Sequence, residues 1–197
     1  MRKLKRLIWI LKFYKFNICG AFGFIRLNYF SKNIRRFGGA YFYPSSNSKI
    51  ILSSTAIIEL HGSFFLGFGN LEKHDKRPFL LMDDYSRICV NRKLEIVGTS
   101  NVQIQKEACL CVDDFCIGDD SEINCEYQLR LIGKVSAGKN VTMKDSLKEH
   151  KPVIVEDDVN IGSDVLITPG TYIQSAVSVP DNTTVSELIT PSKFGQG

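Results

Sequence analysis

Apolar side chains recur every six residues through the C-terminal half of the chain. From Leu131 to Val185 every sixth residue is apolar except Glu149, and the residue two places before each of these is apolar or Thr. Residues two apart on an extended chain point to the same side, so each hexad predicts a short strand with two inward side chains. A helix would need a period of about 3.6 residues. Strands this short must stack on copies of themselves, so the pattern predicts an all-β solenoid.

Turn-forming residues separate these strands. The intervening segments are rich in Asp, Asn, Gly, Ser and Pro, which favour turns; they include residues 156–158, 162–164, 168–170 and 180–182. The same phase extends upstream with slips. It becomes loose before residue 85, where the sequence predicts a coil that carries a longer loop.

The start of the chain has a different composition. Residues 1–58 contain eleven Lys or Arg and no Asp or Glu, and twelve of the twenty-one aromatic residues lie in residues 1–43. Residues 59–197 have fourteen basic and twenty-one acidic residues, a net charge of −7, so the overall charge of +4 describes neither part. We therefore predict a basic, aromatic N-terminal segment at residues 1–48 and a repeat domain at residues 49–197.

The sequence of the N-terminal segment predicts that it forms a short basic helix. Its apolar residues Leu4, Leu7, Ile8 and Leu11 have helical spacing. The apolar run is interrupted by Lys12 and is too short for a signal peptide or a membrane span, which need roughly 7–15 and roughly 18 or more apolar residues. Two interpretations stay open for residues 1–36: peripheral contact with an anionic membrane surface, or packing on the body. The expected location is cytoplasmic, including the inner face of the plasma membrane. Nucleic acid is not expected as a partner, because no binding motif accompanies the basic residues.

Six cysteines are present, and four of them are clustered between Cys109 and Cys125. Without a signal peptide, reduced thiols are expected rather than disulfides. The spacing C-x-C-x4-C-x8-C is not a familiar zinc pattern, and two of the four fall at inward positions of the repeat. We interpret them as buried free thiols and predict no metal site.

Two stretches of the sequence resemble a known family. The stretch VEDDVNIGSDVLITPG resembles the hexapeptide-repeat acyltransferases, and KPVIVEDDVNIG after KNVTMKDS is similar to the branch that O-acetylates sugars of surface polysaccharide and lipopolysaccharide. The resemblance implies a left-handed parallel β-helix and homotrimers with active sites between subunits. It also implies acetyl-CoA as the donor and a saccharide acceptor, which in such pathways can be lipid-linked.

The resemblance also implies catalytic residues. The family uses a His as general base, shortly after an Asp, on a loop that ends at Lys-Pro. Here His150 is the predicted base, and Asp145 is predicted to hold its imidazole in the reactive tautomer. Because Met143 and Val155 are two hexads apart, we expect no projecting loop between them and an inward Glu149. His74 on the upstream loop is a second candidate for the base, and absence of catalysis is the third interpretation.

A donor groove and a trimer face follow if each coil has three hexads, as the family implies. Thr168 and Gly170 would then lie beside His150 and Lys151, forming a corner for the pantetheine arm of acetyl-CoA. Lys151 would meet a CoA phosphate, and Gly170 would allow close approach of the backbone. The same residues also make ordinary turns. The outward residues Ser136, Ile154 and Tyr172 would stack on one face, which we predict as the trimer interface.

Three functions compete on this evidence. The first is an O-acetyltransferase. The second is a catalytically degenerate β-helix that serves as a scaffold or partner subunit, favoured by the absent loop and by Asn160 where the family usually has Trp. The third is a metalloenzyme of the β-helical carbonic anhydrase type, which needs three converging His; the spacing of His61, His74 and His150 does not predict such a site.

Overall fold

A computed structural model describes residues 2–15, 17–68, 77–146 and 150–191. The candidates His74 and Glu149 lie outside these residues. The protein is mostly β, a parallel solenoid of about six turns preceded by two short helices. The helices are α1 (Arg2–Phe13) and α2 (Ile18–Ile25), and a π-helical segment (Arg26–Phe30) follows them. The strands are β1 (Ile34–Arg36), β2 (Phe42–Pro44), β3 (Lys49–Leu52), β4 (Ile57–Leu60), β5 (Ser63–Phe68), β6 (Phe79–Met82), β7 (Arg87–Val97), β8 (Asn101–Ile104), β9 (Cys109–Ile117), β10 (Glu122–Cys125), β11 (Gln128–Ala137), β12 (Thr142–Lys144), β13 (Val153–Val155), β14 (Val159–Ile161), β15 (Leu166–Ile167), β16 (Tyr172–Ile173), β17 (Ser178–Val179), β18 (Thr184–Val185) and β19 (Leu188–Ile189).

These strands form three faces, and every pairing between them is parallel. The first face runs through β1, β4, the first halves of β7, β9 and β11, then β13, β16 and β19. The second face runs through β2, β5, the second halves of β7, β9 and β11, then β14 and β17. The third face is the seven-stranded sheet β3-β6-β8-β10-β12-β15-β18. Each coil therefore visits the three faces in the same order.

Alternate residues of each strand point inward, as the hexads predict. The buried positions form one continuous core along the solenoid axis, for example Leu94, Phe115 and Val135 stacked on the second face. Fully burying an aliphatic or Phe side chain contributes roughly 1.5–3 kcal/mol relative to exposure. Strands of two or three residues are stable here because this core and the hydrogen bonds between coils are repeated at each turn.

Tight corners between the faces depend on residues that tolerate a positive φ. Asp120, Asn140, Asp164 and Asn182 occupy such corners with φ between 54° and 58°. Asn and Asp visit this left-handed region more readily than other non-glycine residues, because their short polar side chains can bond locally. The turn residues identified in the sequence therefore fix the corners as well as interrupting the strands.

The solenoid begins earlier than the boundary placed at residue 48. β1 pairs with β4 and β2 pairs with β5, so residues 34–44 already belong to the first coil. The helical cap, which comprises α1, α2 and the π-helical segment, packs on this coil. Ile10, Tyr14 and Phe24 form a second apolar cluster with Tyr43. The Tyr14 hydroxyl donates to the Pro44 carbonyl (2.9 Å), and burial raises the pKa of Tyr14.

The cap also leaves apolar side chains in solvent. Ile18, Phe22 and Phe30 are exposed by 75%, 65% and 79%. Among the described residues, no helix is both long enough and apolar enough to cross a membrane.

Candidate functional site

One corner of the solenoid carries an inserted loop, and His150 lies on it. Nine residues (144–152) separate the inward residues Met143 and Val153, whereas three (156–158) separate Val155 from Val159. Leu129 pairs with Val153, a step of four hexads, but the next pairing on each of the three faces advances by three hexads. The insertion is therefore one complete hexad. The prediction that the chain has no loop here is wrong, because an insertion of one hexad leaves the apolar phase unchanged.

The loop is closed at its base. Ser146 and His150 form an antiparallel bridge, and the Lys151 amide donates to the Asp145 carbonyl (3.0 Å). The loop joins β12 on the third face to β13 on the first face. Its base therefore lies at the edge of the first face.

His150 and Asp145 have different environments. His150 is exposed, whereas Asp145 is fully buried. The Asp145 carboxylate accepts the backbone amides of Glu126 (2.7 Å) and Tyr127 (3.0 Å) and the thiol of Cys125 (3.4 Å). No hydrogen bond joins the side chains of Asp145 and His150, both of which the structure describes. Asp145 thus fastens the loop to the preceding coil, and its predicted contact with the imidazole is not formed.

Carboxylates at other corners make a simpler version of this contact. Asp181 accepts the Ser163 amide (2.7 Å), and Asp157 accepts the Lys134 amide (2.6 Å), in each case on the preceding coil. Both of these aspartates are exposed. Asp145 differs because it is buried and its two carboxylate oxygens together accept three donors.

Lys151 and Gly170 lie together, as a repeat of three hexads per coil predicts for this part of the chain. The Gly170 amide donates to the Lys151 carbonyl (3.4 Å), and a Cβ on Gly170 would lie 3.2 Å from Lys151 Cδ. Gly170 has φ +80°, which favours glycine. The Thr168 hydroxyl donates to the Val185 carbonyl (3.0 Å), so it already has a partner on the next coil. The roles of these residues toward a donor stay predictions.

The insertion also changes which outward residues stack. Ile154 pairs with Tyr172, as predicted, and Tyr172 pairs with Leu188. Ser136 lies instead on the second face beside Asn160, and its hydroxyl bonds the Asn160 side chain (2.9 Å). Placing Ser136 in the Ile154 row was wrong, because the inserted hexad shifts every earlier residue by one face.

The other described histidine is distant from the loop. His61 stacks on the Phe37 ring at 4.3 Å between centroids, and its Nε2 lies 3.6 Å from the Glu59 carboxylate. It follows Leu60, which lies four strand pairings below Val155 on the first face. At about 4.8 Å per pairing, roughly 19 Å separates these levels.

Three thiols meet on the outer surface of the first face. Cys89 pairs with Cys111 on the next strand, and Cys109 lies two residues before Cys111. The three Sγ atoms are within 4.8 Å of one another, and those of Cys109 and Cys111 are 3.4 Å apart. All three residues are partly exposed, and so is Cys116, so interpreting the clustered four as buried is wrong for every member except Cys125.

Neighbouring groups favour a thiolate within this trio. Hydrogen bonds from the Cys109 and Cys89 thiols, followed by the charges of Arg130 and Arg87, lower the pKa of Cys111. Hydrogen bonds with Cys109 and Cys111 raise the pKa of Cys89. The sequence gives no local sign of this trio, because Cys89 and Cys111 belong to successive coils and meet only through the strand register.

A cavity of about 580 Å³ lies at the other end of the molecule, beside the helical cap. Its lining includes Arg26, Phe30, Lys32 and Ile50. On the third face Ile50 is four strand pairings from Met143, which precedes the His150 loop. The cavity is therefore separate from the loop.

Comparisons with protein-family models, with curated proteins and with solved structures found no match for this chain.

Proposed function

We propose that this protein is an acetyl-CoA-dependent O-acetyltransferase that acts on a saccharide hydroxyl. One observation carries the proposal: the corner beside Lys151 and Gly170 contains one extra hexad, whereas the corners that follow it in the chain do not. This inserted loop is closed at its base by the bridge between Ser146 and His150, and His150 is exposed to solvent. A missing loop was the main reason to favour the non-catalytic scaffold, so its presence supports the enzyme. The proposal includes the left-handed coil and the homotrimer that the family resemblance implies.

The proposed chemistry needs one base and one leaving group. His150 takes the proton from the saccharide hydroxyl as the hydroxyl oxygen attacks the thioester carbonyl. The tetrahedral intermediate then collapses, the carbon–sulfur bond breaks, and the imidazolium returns the proton to the CoA sulfur. His suits this exchange because its ordinary pKa is close to neutral pH.

Asp145 is a positioning residue in this scheme. Its carboxylate holds the base of the loop against the Glu126 and Tyr127 amides, so it fixes where His150 stands without touching the imidazole. This differs from the role that the resemblance implies, in which the carboxylate contacts the ring.

The donor is proposed to lie along the corner that follows the loop. Lys151 supplies a positive charge for a CoA phosphate. Its side chain lies against Gly170, so in this proposal the Lys151 side chain turns toward the phosphate and the pantetheine arm takes its place over the glycine. Thr168 contributes backbone to this corner, since its hydroxyl is bonded to Val185.

A partner subunit is proposed to supply the other wall of the site. The row Ile154, Tyr172 and Leu188 gives the first face an apolar strip, and the base of the loop lies at the edge of that face. Packing of this strip in a trimer would bring a second chain beside His150. Sedimentation equilibrium should give three chains per particle at micromolar concentration, and a monomer there would contradict this part of the proposal.

The helical cap is proposed to hold the enzyme at an anionic membrane, where lipid-linked acceptors lie. Ile18, Phe22 and Phe30 project into solvent from a segment that contains no acidic residue. The protein should sediment with anionic vesicles at low salt and not with neutral ones. A variant with Ile18→Ser and Phe22→Ser should lose this binding, while Tyr85→Ser, at an exposed aromatic on the solenoid, should keep it. Equal sedimentation with anionic and neutral vesicles would show that the basic charge of the cap does not direct binding to anionic lipid.

Donor binding tests the central proposal. Acetyl-CoA at about 100 times its Kd should stabilise the folded protein by about 2.7 kcal/mol, which corresponds to roughly 5–10 °C in Tm for a chain of this size. Turnover is measured as CoA release with a set of methyl glycosides as acceptors. No rise in Tm at millimolar acetyl-CoA would reject the enzyme and leave the scaffold.

The scaffold remains the second candidate because of two observations. The Asp145 carboxylate is bonded to the preceding coil rather than to His150, and the Thr168 hydroxyl is bonded to Val185. On this hypothesis the loop is a docking element for another protein, and His150 performs no proton transfer.

A further inference from the structure

The thiol trio (Cys89, Cys109 and Cys111) has the arrangement of a preformed ligand set. Its members lie on the outer side of two neighbouring strands, β7 and β9, whose first halves are joined by parallel pairing. The opposite side of the same strands carries buried core residues such as Ile88 and Leu110. The sulfurs are therefore held by a rigid part of the fold rather than by a loop.

The distances between the sulfurs are close to those that a metal ion requires. Zinc–thiolate bonds are about 2.3 Å, so two sulfurs of a tetrahedral zinc site are about 3.8 Å apart. The sulfurs of Cys109 and Cys111 are 3.4 Å apart, and all three lie within 4.8 Å of one another. Small side-chain rotations would bring the trio to the metal-bound spacing without moving the strands.

The surrounding charge suits a thiolate-bound ion. Three thiolates around a divalent ion leave one negative charge, and three around a univalent ion leave two. Arg87 precedes Cys89 on the same face, and Arg130 is the strand partner of Cys111. Their positive charges offset the excess negative charge of the thiolates, and a guanidinium stays protonated, so it does not compete for the metal.

We propose that Cys89, Cys109 and Cys111 bind one thiophilic metal ion, Zn²⁺ with a fourth ligand from solvent or Cu⁺ with three sulfurs. Thiolates select these ions over harder ones. The site is independent of acetyl transfer: the trio lies on coils that precede the His150 loop, and neither His150 nor Lys151 belongs to it. Its partial exposure leaves a path for the ion to enter.

Metal titration of the reduced full-length protein tests the site. Zn²⁺ and Cu⁺ are added in separate anaerobic experiments against a chromophoric chelator, and bound metal is counted per chain. Wild type should bind one equivalent in at least one arm, and the arm identifies the ion. Cys89→Ser and Cys111→Ser should each lower the affinity by at least roughly tenfold, while Cys19→Ser and Cys116→Ser, at partly or fully exposed thiols outside the trio, should bind as wild type.

A second measurement protects the test against misfolded variants. The bound metal should raise Tm in wild type and in Cys116→Ser but not in Cys89→Ser, whose outward side chain lies outside the core. Far-ultraviolet circular dichroism should be the same for all variants. Binding in wild type no tighter than in Cys89→Ser, or equal losses in Cys116→Ser, would overturn the proposal.

Discussion

The coils before and after Val153 share an inward pattern but differ in their corners. After Val153 the pairings of β13 with β16, β14 with β17 and β15 with β18 each advance by three hexads, and only the last pairing, of β16 with β19, is shorter, at sixteen residues. Before it the steps along the first face are unequal, because the successive partners are Ile58, Ile88, Leu110, Leu129 and Val153. Both regions bury every second residue of their strands in one continuous core.

This difference shows that the fold fixes the strands and leaves the corners free. Extra residues at a corner stay outside the core, and the next strand regains its register by pairing with the coil below. The entropy of closing a loop grows slowly with its length, so the insertion of one hexad adds little cost. Corners can therefore acquire chemistry, and the four-hexad coil that ends at Val153 is where we propose that this happened. The following predictions test that division.

Removing the inserted hexad should have the largest effect on activity and little effect on the fold. Deleting residues 146–151 joins Asp145 to Pro152 and restores a coil of three hexads. Acetyl transfer should be abolished, because the deletion removes His150 and Lys151, while circular dichroism should keep its β signal. Deleting residues 159–164, a hexad of the regular coils, is the comparison and should unfold the protein, since it removes core residues. Activity surviving the first deletion would reject this corner as the site.

His150→Ala should lower turnover by roughly 10²–10⁴, the usual contribution of a positioned general base. The Kd for acetyl-CoA, measured by calorimetry, should stay within a factor of two or so, because the base acts on the acceptor hydroxyl. His61→Ala, at an exposed histidine of the longer coils, is the matched control. Similar turnover in the two variants would remove His150 from the mechanism.

Asp145→Asn should lower the free energy of unfolding by about 1–3 kcal/mol. The amide group would face a backbone amide that now donates to the carboxylate, leaving a buried donor without an acceptor. Asp181→Asn, at an exposed regular corner with one such bond, should cost less than about 1 kcal/mol. Urea unfolding followed by circular dichroism measures both. Equal effects would show that Asp145 is an ordinary corner carboxylate.

Gly170→Val should weaken acetyl-CoA binding by about tenfold, or about 1.4 kcal/mol. A side chain there meets Lys151 Cδ and fills the proposed groove, and the positive φ adds strain. Gly38→Val, at an equally left-handed glycine with open space around it, controls for strain alone. The acetyl-CoA affinities of both variants should be measured by calorimetry at a temperature well below Tm. Unchanged affinity in Gly170→Val would move the donor to another corner.

Much of the candidate site could be located from the sequence, but not its shape. The resemblance to the hexapeptide-repeat acyltransferases implied the Asp145 to Lys151 segment, and the coil of three hexads that it also implies predicted the contact with Gly170. The loop was missed because its extra residues equal one hexad, so Val153 and Val155 have the phase they would have without it. For the same reason Ser136 was placed beside Ile154 on the first face, whereas it pairs with Asn160 on the second face.

The thiol trio and the Asp145 contacts were beyond sequence reasoning for a related reason. The spacing between Cys89 and Cys111 is not a multiple of six, and it means nothing until the hydrogen bonds between β7 and β9 align the two residues. Asp145 looked like a partner for His150 because the two are near in sequence. The carboxylate instead reaches the amides of Glu126 and Tyr127, which the coil brings directly beneath it.

The sequence by itself determined that this chain forms strands with an alternating core face, that Asp, Asn and Gly make its corners, and that a basic aromatic segment precedes them. These are local properties, set by side-chain alternation and backbone preference over a few residues. Only the tertiary structure decided how many residues each coil holds, and hence which outward side chains meet. That number is fixed by pairing between coils, which a repeat of six residues cannot report because any insertion of one hexad restores the pattern.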